Sequence, residues 1–465
     1  MPNPPSRPST PRVAVVGLGK LGTPIAAALA ARGVHTVGYD LDADKTAALR
    51  ERCAAFREPR LDEMLGQAGE CLDAVDDLDA AVDRTDLAMV IVPTPSEPQG
   101  GFSLQHLVPA VQEIGRALAA RPHKPYDVVI TSTVMPGATG GPIRQALEDA
   151  AGRPVGQHGL RLCYSPEFIA LGRVIDASLR PDLVLIGEHL PGDGQGLEAV
   201  TSALTLNRPP VRRMTLASAE LVKLALNTYV TTKITFANLL AELCRSLPGA
   251  DADVVTEALG LDRRIAAPGL KPGVSFGGPC FPRDNRALAR FAQDHGVDRE
   301  LPDAVDAFNR QLPQRWADRI AQRLEPGATV ALLGLAYKTD TDVTEQSFGL
   351  AVAEHLANAG LRVVGYDPAL AETGRASLGP VALAPTMQEA VACGDAVAIA
   401  TPWPEFAQLD AAMLRRLGPR RVVFDGWRML DPQRIGQVAD YLAVGVADKD
   451  TQDQAAPALA LTSAA

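Results

Sequence analysis

Two clusters of residues in this 465-residue chain have the types and spacing to do chemistry. The first is Gly17-Leu18-Gly19-Lys20-Leu21-Gly22, followed by Asp40 eighteen positions after its last glycine. Gly17 permits a tight turn, Gly19 lets the backbone approach a pyrophosphate at a helix N-terminus, and Gly22 lets helix and strand pack closely. A carboxylate at Asp40 accepts adenosine ribose hydroxyls and repels a 2′-phosphate, so the spacing favours NAD over NADP. FAD suits the same loop, but no second flavin signature accompanies it. The second cluster is Phe276-Gly277-Gly278-Pro279-Cys280-Phe281-Pro282-Arg283-Asp284, a glycine-bounded loop carrying one cysteine, a cation and a carboxylate. A thiolate there is a nucleophile for a carbonyl carbon, aided by nearby positive charge. By spacing alone, a buried and inert cysteine is the plainer reading.

The elements around these clusters define the fold class. A β-branched strand at Val13 to Val16 leads into the glycine loop, an alanine-rich helix runs to about Arg32, Gly33 stops it, and a second strand spans Thr36 to Tyr39. Further strands are predicted at Leu87 to Val92, Val128 to Ser132 and Leu160 to Tyr164. This alternation predicts an α/β protein with a doubly wound parallel sheet. A second such unit begins at Val330 to Leu335, continues through a helix near Gly349 to Ala359, and ends at Leu361 to Asp367. GVHTVGYD in the first unit and GLRVVGYD in the second form a weak internal repeat, although the second lacks the three-glycine spacing. Between them, apolar residues at a 3 to 4 residue period predict a long helix from Leu216 to about Ser246 that joins two Rossmann-like domains and suits subunit pairing.

The expected organisation is a disordered N-terminus (1–12), an NAD-binding Rossmann domain (13–205), a central helical and dimerisation region with the cysteine loop (206–312), a Rossmann-like domain adapted to another ligand (313–447) and a disordered tail (448–465). Lys plus Arg number 45 against 55 Asp plus Glu, a net charge of −10 that disfavours nucleic acid and anionic lipid as partners. Six scattered cysteines signal neither a disulfide framework nor a metal site. The start does not read as a signal peptide, and no run of about 18 apolar residues occurs, so a soluble cytoplasmic protein is expected.

In order along the chain stand GLGKLG, Val92-Pro93-Thr94-Pro95, Ser132-Thr133-Val134, Ser165-Pro166-Glu167-Phe168, Ala219 to Asn227, FGGPCFPRD, Asn309-Arg310-Gln311, GLAYKTDTD and Thr401 to Phe406. Taken together, from about Val13 to about Gln433, these segments resemble the UDP-glucose/GDP-mannose dehydrogenase family of nucleotide-sugar 6-dehydrogenases. The resemblance implies oxidation of a sugar C6 hydroxyl to a carboxylate with two NAD⁺ in succession, through a thiohemiacetal and thioester on Cys280. It implies that Lys223 stabilises the oxyanion with Asn227 one turn later, that Asp284 and Glu167 move protons through water, and that Thr133 holds that water or the nicotinamide side. By the same resemblance the cofactor meets Gly17, Gly19, Lys20, Leu21, Gly22, Asp40, Lys45, Thr94 and Thr133. The substrate meets Glu167, Phe168, Lys223, Asn227, Arg264, Lys271, Phe276, Gly277 and Lys338. Arg264 reaches in from a neighbouring subunit, which implies a homodimer or higher homo-oligomer.

The chain departs from the family pattern at four places. Leu171 stands where a glutamate is usual, Leu183 and Trp427 where arginines are, and Glu345 replaces a cation. UDP-glucose is the best single substrate, with GDP-mannose and UDP-N-acetylhexosamines open. Two other readings are a two-electron dehydrogenase of small hydroxy acids, which leaves Cys280 unexplained, and a non-catalytic nucleotide-sugar or NAD-binding protein.

Overall fold

Strand β1 (Val13–Val16) is wholly buried, and so are β2 (Thr36–Tyr39) and β4 (Leu87–Val90) on either side of it. Continuous apolar β-branched runs of this kind belong to parallel strands covered on both faces. The computed structural model describes residues 10–447 apart from 55, 372–376 and 417–418. The segments 1–9 and 448–465, expected to be disordered, lie outside the described residues, while Arg12 is paired with Asp86 at 2.9 Å. The chain divides into two compact units, one up to Ala225 and one from Leu226.

In the first unit the described residues form an eight-stranded sheet that adds β3 (Leu72–Ala74), β5 (Tyr126–Ile130), β6 (Leu160–Tyr164), β7 (Val184–Glu188) and β8 (Val211–Thr215). Its order is β3-β2-β1-β4-β5-β6-β7-β8, parallel except between β6 and β7. The first six strands follow the Rossmann order, with the glycine loop at the C-terminal end of β1 where the order reverses. Ile25 and Leu29 of the helix Gly22–Ala31 pack on one face with Val13 and Val15, while Leu107, Ile114 and Leu147 cover the other with Val128 and Ile130. Two predicted strands end earlier than expected, β4 at Val90 and β5 at Ile130, because the chain turns there into the loops that carry Thr94 and Thr133.

The second unit contains β9 (Thr329–Leu333), β10 (Arg362–Tyr366), β11 (Ser377–Leu378), β12 (Val381–Leu383), β13 (Ala396–Ile399), β14 (Arg421–Asp425) and β15 (Ala439–Ala443). Among the described residues they form one sheet in the order β11-β12-β10-β9-β13-β14-β15, parallel except for β11 against β12. The long helix spans Leu216–Ser246, as its periodicity predicts, starting in the first unit and ending in the second. Among the described residues no helix is long and apolar enough to cross a membrane.

Candidate active site

The glycine loop is built as its spacing requires. Gly17 has φ +102°, its N–H donates to the Tyr39 carbonyl at 2.8 Å, and a Cβ there would stand 2.3 Å from the Ile91 oxygen. A Cβ on Gly22 would meet the Gly17 oxygen at 1.8 Å, so only glycine allows the helix to start against the strand. A Cβ on Gly19 would instead project into open space, which leaves the loop face free for a pyrophosphate. Lys20 and Leu21, half-buried, complete the turn. One oxygen of Asp40 accepts the Leu18 N–H at 2.7 Å, and the other faces Lys45 Nζ at 3.4 Å. These residues fit a dinucleotide. The Thr94 hydroxyl donates to the Thr133 carbonyl at 2.7 Å, tying together the loops after β4 and β5.

Also in the first unit, the buried Lys223 ammonium donates to the Glu167 carbonyl oxygen at 2.8 Å and lies 5.2 Å from the centroid of the Phe168 ring. Burial pushes the Glu167 carboxyl up to about 7, against the opposing pull of Lys223. Two buried carboxylates that sequence reasoning missed fix the surrounding backbone. Glu220, one turn before Lys223, accepts the N–H groups of Gly137 and Thr139 at 2.6 and 2.7 Å, and Glu58 accepts those of Gly172 and Val174 at 2.7 Å each.

In the second unit, Cys280 is exposed and immediately precedes the helix Phe281–Asp294, whose N-terminal N–H groups favour developing negative charge. The Asp284 N–H donates to the Cys280 carbonyl at 2.9 Å, and its carboxylate accepts from Asn227 Nδ2 at 2.6 Å, with both side chains buried. Asn227 follows Lys223 by one turn of the long helix. The loop before Cys280 is held by backbone contacts. Asn309 exchanges two hydrogen bonds with the Phe276 backbone at 2.8 and 2.9 Å, and Gly278 N–H donates to the Glu345 carbonyl at 3.1 Å. A Cβ on Gly277 would lie 2.1 Å from the Gln346 oxygen, and one on Gly278, with φ +78°, 2.5 Å from the Tyr337 ring. Lys338 lies 6.0 Å from the Tyr337 ring centroid.

Lys271 is exposed, and Arg264, 88% exposed, pairs among the described residues with its near neighbour Asp262 at 2.6 Å. Trp427 packs: its indole N–H donates to the Ala400 carbonyl at 3.0 Å, and its ring lies 3.4 Å from where a Gly273 Cβ would stand. Arg428, beside it, adopts φ +56° and pairs with Asp251 at 2.5 Å. Glu345 is exposed and contributes its carbonyl, and nothing in the structure explains Leu171 or Leu183. Among the described residues no group of three or more His, Cys, Asp or Glu side chains is placed to hold a metal ion.

The chain matches three models of the UDP-glucose/GDP-mannose dehydrogenase family: the NAD binding domain over residues 11–204, the central domain over 217–311 and the UDP binding domain over 331–432. It is 35% identical over 424 residues to a UDP-glucose 6-dehydrogenase of Haloferax volcanii, covering 90% of this chain and 97% of that one. It is 32% identical over 413 residues to a UDP-glucose 6-dehydrogenase of Rhizobium meliloti, covering 87% and 92%. Among solved structures it resembles a UDP-glucose dehydrogenase from Pyrobaculum islandicum, with a TM-score of 0.85 at 32% identity over 95% of this chain and 100% of that one.

Proposed function

The chain belongs to the UDP-glucose/GDP-mannose dehydrogenase family, and we infer from this premise that it is an NAD-dependent nucleotide-sugar 6-dehydrogenase that oxidises UDP-glucose to UDP-glucuronate. NAD supplies the hydride acceptor for each of the two oxidations. Gly17, Gly19, Lys20, Leu21, Gly22, Asp40, Lys45, Thr94 and Thr133 would hold it. We assign Cys280 as the nucleophile that adds to the C6 aldehyde, forming a C–S bond as the carbonyl oxygen takes a proton. After the second oxidation, water adds to the thioester carbon, the C–S bond breaks with its electron pair returning to the Cys280 sulfur, and the sugar carboxylate is released. Lys223 and Asn227 carry the donors for the oxyanion, and Asp284 and Glu167 relay protons through water. Phe168, Arg264, Lys271, Phe276, Gly277 and Lys338 are assigned to the substrate.

The observation that carries this reading is the Cys280 loop: Cys280 is exposed immediately before a helix, and Asp284 in the first turn of that helix accepts from Asn227 at 2.6 Å. The test is the NADH released per UDP-glucose consumed at completion. About two is expected for the native enzyme, and Cys280→Ala is expected to stall at the aldehyde stage. A native yield of one, or a Cys280→Ala variant that still delivers two, overturns the thioester route.

We further propose that two copies pair along the long helix. Tyr229, Phe236 and Leu243, seven residues apart, are 62%, 47% and 55% exposed, and Leu239 lies between the last two, a heptad seam. Phe236→Glu is expected to convert a dimer to a monomer in light scattering; an unchanged mass refutes the pairing. The free thiols Cys53, Cys71, Cys163, Cys244 and Cys393 support work in the reducing cytoplasm.

A further inference from the structure

Between the end of β6 at Tyr164 and the helix Val174–Leu179, the backbone carrying Glu167 and Phe168 has no regular secondary structure. Such a segment keeps its shape only if other groups take up its N–H and C=O groups. At its start the Ser165 N–H donates to the Ile130 carbonyl and its hydroxyl to the Leu185 carbonyl, both at 2.9 Å. In its middle Lys223 holds the Glu167 carbonyl. At its far end the buried Glu58 carboxylate accepts Gly172 N–H on one oxygen and Val174 N–H on the other, each at 2.7 Å. Glu58 is separated from these partners by more than a hundred residues of chain. Two residues on, Arg60 adopts φ +67° and pairs with Asp176, so one short stretch grips two successive points of the same segment.

We propose that Glu58 is a positioning residue for the oxidation: its carboxylate clamps the far end of the loop and so sets Glu167 and Phe168 against Lys223. The proposal rests on the reading of Glu167 and Lys223 as active-site residues. A carboxylate suits this place because it offers two acceptors and no donor, matching two N–H groups two residues apart. Glutamine keeps the size but turns an NH₂ donor toward one of those N–H groups. A loop released at one end displaces Glu167 on the scale of an ångström, which in a positioned site costs on the order of a hundredfold in rate.

The experiment is kcat for UDP-glucose oxidation from pH 5 to 9, with thermal unfolding alongside, on the native enzyme, Glu58→Gln and Glu58→Asp. Glu167 faces Lys223 as its charged neighbour, and burial holds its carboxyl near 7. Glu58→Gln is expected to lose about ten- to hundredfold in kcat. Its acid limb should move at least about one pH unit lower, because water reaching a loosened Glu167 returns it toward its ordinary value. Glu58→Asp, which keeps the charge on a shorter arm, is expected to fall between, and it decides the matter if the glutamine variant does not fold. A lower melting temperature with kcat and acid limb unchanged overturns the proposal, since a purely structural residue behaves that way. A native enzyme that produces no NADH overturns the reading of the reaction and Glu58's role with it, and the native arm shows that failure separately.

Discussion

Replacing Asp284 by asparagine separates the chemistry assigned to this residue from its structural part. The carboxylate is 1% exposed, accepts from Asn227 Nδ2 at 2.6 Å, and lies 3.8 Å from Arg283 Nε. An asparagine at 284 presents a carbonyl oxygen in the same place, so the Asn227 donor keeps a partner. What is lost is the difference between a charge-assisted bond, about 1.5 to 3 kcal/mol, and a neutral one of about 1 kcal/mol. A loss of that size lowers the melting temperature by only a few degrees in a domain of about 200 residues. A group that accepts protons in the reaction is worth about 10²- to 10⁴-fold in rate, or roughly 3 to 5 kcal/mol of barrier. Asp284→Asn should therefore unfold within a few degrees of the native enzyme while its kcat falls at least about a hundredfold. The assay is NADH production at saturating UDP-glucose and NAD⁺, paired with a thermal melt. Asp284→Ala, which strands the buried Asn227 donor, should lose a further 1 to 3 kcal/mol or so of stability. An asparagine variant that retains more than about a tenth of native kcat refutes the proton-transfer assignment and leaves Asp284 as a brace for Asn227.

Gly278→Ala places a Cβ 2.5 Å from the Tyr337 ring at φ +78°, and left-handed strain plus overpacking should cost about 2 to 5 kcal/mol, visible in denaturant unfolding of the full chain. A loss under about 1 kcal/mol there would mean that the loop is looser than its contacts imply. Asp40→Ala removes both the acceptor for Leu18 N–H and the carboxylate that repels a 2′-phosphate, so KM for NAD⁺ should rise about tenfold or more while NADP⁺ gains relative to NAD⁺. An unchanged NADP⁺ to NAD⁺ ratio would remove Asp40 from cofactor selection.

Features whose determinants are neighbours in sequence were legible there. The β1–glycine loop–helix–β2 unit and Asp40 lie within 28 residues of one another, and the helix Leu216–Ser246 carries its own periodicity. Strand β8 gave no such signal, because its Arg212 and Arg213 are exposed at the sheet edge and Arg213 pairs with Glu188 and Glu198. Strands β13 to β15 were missed as well, since their short apolar runs stand among helical segments of similar composition. Glu58 and Glu220 were illegible for a different reason. Each works by accepting backbone N–H groups more than 80 positions away, and backbone N–H groups leave no trace in residue type. Asn309 belonged to a quoted motif, yet only the fold shows that it clamps Phe276.

The internal repeat shows how one backbone design came to serve two ends. Gly334 N–H donates to the Tyr366 carbonyl at 2.8 Å, as Gly17 does to Tyr39, with φ +99° against +102°. Leu335 N–H donates to Asp367 at 2.8 Å, as Leu18 does to Asp40. The glycine that packs helix on strand is also present: a Cβ on Gly349 would stand 2.3 Å from the Gly334 oxygen, as one on Gly22 would meet Gly17. The three-glycine spacing therefore fails in the second unit because the longer stretch from Ala336 to Phe348 stands before the packing glycine where the first unit has only Gly19 to Leu21. That excursion carries Lys338 and supplies the Glu345 and Gln346 backbone against which Gly277 and Gly278 close. Asp367 is buried, with Ala336 N–H and the Trp403 indole N–H on the oxygen that takes Leu335, whereas Asp40 keeps part of its carboxylate accessible. Its other oxygen accepts the Ala369 N–H at 3.0 Å, and at 1% exposure the carboxylate is closed to a ribose. The second unit has thus exchanged a dinucleotide cradle for a buttress under the cysteine loop, and a variant that shortens residues 337–346 should impair Cys280 before it impairs cofactor binding.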